Sequence, residues 1–143
     1  MASANFTILP RTLAVGGINF STAVCKVLLL AALPTEANLD AWAFRSDVTG
    51  EVAAGGGYAV GGVAQAFVLA ALDATNNRQA ITYTNLAPGW NPATFAAVGA
   101  IIYQDTALAT TDKLLHLIDF GATITGAGAG YNLTYTSPFF INR

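Results

Sequence analysis

One histidine, one cysteine and eight carboxylates are the groups in this 143-residue chain whose types could do chemistry. His116 stands in the apolar run Leu114-Leu115-His116-Leu117-Ile118. To act as a general base it would need a nucleophile or an orienting carboxylate within hydrogen-bond reach. Strand alternation puts Asp119, its nearest acid in sequence, on the opposite face. No Gly-X-Ser-X-Gly elbow anchors a Ser-His-Asp arrangement. The sequence predicts a hydrogen-bonded structural histidine, and the chain is not expected to be an enzyme; a small hydrolase built around His116 is the weakest of three readings. Cys25, within Val24 to Leu30, reads as a small apolar strand residue. A single cysteine forms no intrachain disulfide and no Cys-based metal cluster, and a single histidine makes no His-rich zinc site.

The acids lack the alternating spacing of an EF-hand loop, so turn capping is the role expected of Asp73 and Asp105. Gly55-Gly56-Gly57-Tyr58-Ala59-Val60-Gly61-Gly62 lacks the Gly-Lys-Ser/Thr of a phosphate-binding loop and reads as tight β-turns. The aromatics Trp42, Trp90, Tyr58, Tyr83, Tyr103, Tyr131 and Tyr135 could line a carbohydrate groove, although core and interface packing is their default role. No catalytic residue, cofactor or metal is predicted.

The elements that would carry these residues are strands. Val24 to Leu30, Phe95 to Tyr103 and Lys113 to Phe120 are compact apolar runs. In the last, alternation groups Leu114, His116, Ile118 and Phe120 against Leu115, Leu117 and Asp119. Gln79 to Thr84 and Tyr131 to Thr136 alternate. Val63 to Leu72 is rich in alanine, yet alternates with both faces apolar, as in a strand buried on both sides or at a subunit contact. Gly and Asn clusters, with Pro88-Gly89, punctuate the runs. Thr35 to Phe44 predicts one or two helical turns with Leu39 and Trp42 on a common face. The fold expected is all-β: a single-domain, jelly-roll-like antiparallel β-sandwich over residues 1–143, with a short helical turn near 35–44 and extended terminal segments. Residues 1–20 are either an arm reaching a neighbouring subunit or an ordered edge, and 137–143 is a candidate C-terminal docking tail.

Charge is scarce. Six basic and eight acidic residues amount to 10% of the chain, against about a quarter in ordinary soluble domains. A folded monomer of 14.7 kDa would expose roughly 7,000 Å², so uncharged surface must be extensive, and permanent association with neighbours is expected. The cations are scattered singly, which argues against nucleic-acid binding. The longest apolar run, Val27 to Pro34, is too short to span a bilayer, and Met1 to Pro10 lacks the pattern of a secretion signal.

Several segments together resemble the small head-decoration, or cement, proteins of short-tailed bacteriophages. They are Lys26-Val27-Leu28-Leu29, Ser46-Asp47-Val48, Glu51-Val52, Gly57-Tyr58-Ala59-Val60-Gly61-Gly62, Asp73, Asn77-Arg78, Trp90, Ala100 to Thr106 and Leu114 to Gly121. The order and approximate spacing hold from Lys26 to Gly121. Relatives are more acidic, and the alanine-rich Val63 to Leu72 and the apolar Pro92 to Ala97 depart from the pattern. The resemblance implies a sandwich without catalysis that dimerises and bridges capsomers on the outer capsid surface of the virion. Its partners would be the major capsid protein and a second copy of itself. The contact residues expected from apolar character are Phe6, Ile8 and Leu9 near the N-terminus, Phe67 and Leu69 in the alanine-rich run, and Phe139, Phe140 and Ile141 at the C-terminus. The alternative is a tail- or fibre-associated sandwich that recognises a host glycan through aromatics such as Trp90.

Overall fold

A computed structural model describes residues 2–6, 9, 10, 13 and 16–142. Their strands are β1 (Ala2–Asn5), β2 (Cys25–Leu30), β3 (Val63–Gln65), β4 (Phe67–Leu69), β5 (Arg78–Tyr83), β6 (Leu86–Trp90), β7 (Ala96–Gln104), β8 (Leu114–Thr125), β9 (Tyr131–Leu133) and β10 (Phe139–Asn142). They form a five-stranded sheet in the order β1-β8-β7-β2-β3, a three-stranded sheet β10-β5-β4 and a two-stranded ribbon β6-β9. Every strand pairing among them is antiparallel. The all-β sandwich expected from the sequence is the architecture found.

The five-stranded sheet has apolar residues on both faces. On one, Val27, Leu29, Ala100, Ile102 and Ile118 pack against Ile81, Tyr83, Trp90, Tyr131, Leu133 and Phe139 from the two smaller sheets. On the other, Leu28, Leu30, Ile101, Tyr103 and Leu117 pack against Phe6, Leu39 and Trp42. Successive residues of Val27-Leu28-Leu29-Leu30 therefore serve alternate cores, which is why that run shows no polar face. The helical turn is α1 (Glu36–Ala41). Thr35 caps it by accepting the Asn38 N–H, while the Asn38 side chain accepts the Thr35 N–H, and Leu39 and Trp42 close the second core as expected.

Three expectations need correction. The strict alternation of β8 fails at its start, because the β7–β8 register shifts between Ile102 and Tyr103. The extra residue puts Leu115 on the main-core side with Ile118 and Phe120, and turns Leu114 to the helix side with Leu117. Second, Leu86–Trp90 is a strand despite Pro88-Gly89; it belongs to an irregular two-stranded ribbon, where a missing N–H costs little. Third, Val63 to Leu72 is not one strand. It breaks at Ala66, and its halves join different sheets, β3 at the edge of the five-stranded sheet and β4 at the edge of the three-stranded one.

Candidate interaction surface

Four of the segments quoted for the resemblance, those holding Leu29, Glu51, Tyr58 with Gly61, and Tyr103, meet in a polar network. The backbones of Gly55 and Tyr58 exchange both hydrogen bonds at 3.0 Å, closing a tight turn. Gly57 in that turn has φ +90°, and a Cβ there would overlap the Pro92 carbonyl oxygen at 1.7 Å. The turn aims Tyr58 inward, where its hydroxyl accepts the Leu29 N–H and donates to Glu51, whose carboxylate also accepts the Gly61 N–H. Tyr103 donates to the Gly61 carbonyl at 2.6 Å. Beside it Arg45 meets Asp112 at 2.8 Å and lies 5.6 Å from the centre of the Tyr103 ring.

Burial alone would raise the Asp112 carboxyl. The Arg45 hydrogen bond and the N–H and O–H of Thr106 outweigh it and hold the group below its ordinary value. Burial raises the Tyr58 and Tyr103 hydroxyls. These groups are bonded to one another and to backbone. The network pins loops.

The cysteine and the histidine are sealed. Cys25 is 2% exposed, and burial pushes its thiol up to about 12. His116 is fully buried, with Nδ1 bonded to Asn5 Oδ1, and burial lowers its pKa to about 3. Asp119 does lie on the other face of β8, where it accepts the Gly121 N–H. Among the described residues no three His, Cys, Asp or Glu side chains converge on a metal position. Asp73 caps its turn as expected: its carboxylate accepts from Asn76 and Arg78, which lower its pKa. Of the seven aromatics weighed above, six are buried and Tyr135 is half-buried; Tyr58 meets Phe95 edge to face, and Trp90 meets Tyr131 likewise.

What the surface offers is the corner between β3 and β4. Gln65 stitches it: its buried amide donates at 2.8 Å to the carbonyls of Ala66 and Thr84 and accepts from the Tyr135 hydroxyl. Ala66 accepts the Thr84 N–H and Ala70 donates to Ala80, so alternate residues of this stretch face β5. Phe67 and Leu69 therefore turn their backbone groups to the open edge. A groove of about 660 Å³ runs along this corner, lined by Phe20, Ser21, Ala23, Val24 and Cys25 on one side and residues 64–69 on the other. Val24, Val68 and Leu69 are 59%, 63% and 37% exposed there, with Leu72 beyond them. No charged residue occurs between Glu51 and Asp73.

The expected contact residues separate into three groups. Phe67, half-buried against Phe20, and Leu69 line this groove. Phe140 and Ile141 are half-buried, Phe140 beneath the Arg78 guanidinium at 4.0 Å. Phe6, Leu9 and Phe139 are buried in the chain's own core, which corrects their reading as exposed contacts. β1 is bound to β8 and β10 to β5, so the described terminal segments are ordered edges of the sandwich. Ile8 lies outside the described residues. Val24 and Val68 were not singled out from the sequence; the signal was the unbroken lack of charge around Val68. No protein-family model, curated protein or solved structure matches this chain.

Proposed function

We propose that this chain is a non-enzymatic structural protein of a bacteriophage virion, bound to the outer capsid surface, where it cements neighbouring capsomers. Its partners are the major capsid protein and a second copy of itself. The observation that carries the reading is the groove between β3 and β4: open strand edges from two sheets, apolar side chains held in water, and no charge to keep another chain away. Soluble proteins ordinarily blunt such edges with Lys, Pro or a covering element.

The rest of the surface supports the same reading. Fourteen charges over 7,223 Å² leave about one per 500 Å². Six of them neutralise one another in the pairs Lys26–Asp105, Arg45–Asp112 and Arg78–Asp73. Attachment would therefore draw on burial of uncharged surface and depend little on salt. The test adds purified protein to shells of the cognate major capsid protein that lack it, and measures occupancy and resistance to heat. Wild-type protein should bind and raise the disruption temperature, with Leu69→Lys and Val68→Lys binding at least tenfold more weakly. Absence of binding to any form of the shell would sink the proposal.

A further inference from the structure

We infer that His116 is the pin of an acid-labile clasp that holds both terminal strands of this chain. Asn5, at the end of β1, uses both ends of its side-chain amide: Oδ1 meets His116 Nδ1 on β8, and Nδ2 donates to the Phe140 carbonyl on β10 at 3.2 Å. The His116 ring lies 4.3 Å from the Phe139 ring and 5.6 Å from the Tyr83 ring. One histidine and one asparagine thus join the N-terminal strand, the C-terminal strand and the sheet between them. Because Asn5 Oδ1 can only accept, Nδ1 carries the proton and Nε2 presents a bare lone pair. That Nε2 is buried and has no hydrogen-bond partner.

A second proton on this ring would place an N–H and a full charge among apolar rings. Among the described residues, nothing packed around it offers a counter-charge. β1 contributes Asn5 and β7 Ile102, neither titratable. β5 contributes Tyr83, and behind it stand Cys25 on β2 and Tyr135, all three kept protonated and neutral by burial. β10 contributes Phe139, and Arg78 at that strand's far end lies over Phe140. Asp119 faces the other way. A proton can be accommodated only when the ring reaches water, and the shortest route is detachment of the strands clasped to it. β1 is the outermost strand of its sheet, and so is β10, so neither release tears an interior strand pairing. Opening so coupled to one proton grows more favourable below the ordinary histidine value of 6.5, approaching tenfold per pH unit well below it.

Hydrogen exchange on the intact chain, corrected for intrinsic rates, tests this. Between pH 6.5 and 4.5 the opening constants of amides in β1 and β10 should rise about 50-fold. At each pH they should exceed those of β2 and β7, the signature of a local opening. In His116→Gln, whose side chain does not titrate, the same constants should stay flat. Terminal-strand protection that ignores pH, or that equals the β2 and β7 values throughout, overturns the clasp. So does an equal rise in the variant. Should His116→Gln not fold, long-range ¹⁵N NMR of the wild-type imidazole decides alone. A neutral ring protonated at Nδ1 and untitrated at pH 5 supports the clasp; a proton on Nε2, or titration near pH 6.5, refutes it.

Discussion

Gly62 sits so close to Val27 that a Cβ on it would stand 1.8 Å from the Val27 carbonyl oxygen. Its φ of +68° is also one that side-chain-bearing residues rarely adopt. The glycine lets the chain leaving the Tyr58 loop pass across β2 and then pair with it as β3. Gly62→Ala should therefore destabilise the fold by about 2–4 kcal/mol, from steric overlap added to backbone strain. Denaturant unfolding checks this. Gly16→Ala is the control for strain alone, since φ there is +68° but nothing lies within 4 Å, and it should cost about 1 kcal/mol.

Among the described residues, Arg45 is the only cation bonded to the fully buried Asp112. Arg45→Leu strands that carboxylate with only Thr106 for company. Loss of one partner from a buried pair costs about 3–5 kcal/mol. Because Arg45 is 23% exposed and water can partly replace it, the expected loss is nearer 2–3 kcal/mol. Asp112→Asn in the same background should recover part of it, and a double-mutant cycle by chemical denaturation measures the coupling.

Two acid effects should separate along the pH axis. His116 has a folded pKa of about 3, depressed from 6.5, so its contribution is complete above pH 6.5 and is lost as pH falls toward 3. At the full shift this amounts to about 4–5 kcal/mol. Asp112 and Asp73 are lowered from an ordinary 3.8, so their stabilisation is present above that value and lost only below it. A decline between pH 6.5 and 4.5 belongs to the histidine. Unfolding midpoints in His116→Gln should be nearly level over that interval, and a slope equal to wild type would reject the assignment.

Cys25 should be silent in the folded protein. Its thiol is buried and, with a pKa of about 12, almost wholly protonated at pH 8. Alkylation by iodoacetamide should proceed only at the rate of opening and become fast in denaturant. Prompt reaction of native protein would contradict the burial.

The strands that fill the cores were legible because their apolar runs have strand length and turn residues at their ends. β2, β5, β7 and β9 lie within a residue or two of where the sequence puts them at their starts, and α1 lies where Thr35, Leu39 and Trp42 indicate. Three features were hidden, each decided by distant partners. Alternation cannot reveal the shift at Leu115, because that register is set against Tyr103 on another strand. Pro88 and Gly89 look like a turn until Tyr131 supplies a partner for Trp90. The terminal apolar residues announce burial, but not whose core receives them; Phe6, Leu9 and Phe139 turn inward, while Val68 and Leu69, chemically similar, stay outside. The edge groove was half legible. The absence of charge marks the stretch, and the break at Ala66 that exposes it is written in the hydrogen bonds of Gln65.

A sheet greasy on both sides leaves the denatured chain with no polar stripe to keep it dispersed. Val27-Leu28-Leu29-Leu30 and Ala100-Ile101-Ile102-Tyr103, once melted out, are uncharged β-forming stretches in a polypeptide of net charge −2. Heating should end in clumping, with no calorimetric recovery on a second scan and an apparent melting point that moves with scan rate. Endurance of this molecule is then a matter of how slowly it comes apart, and any shell that holds it would lengthen its life by delaying the first step.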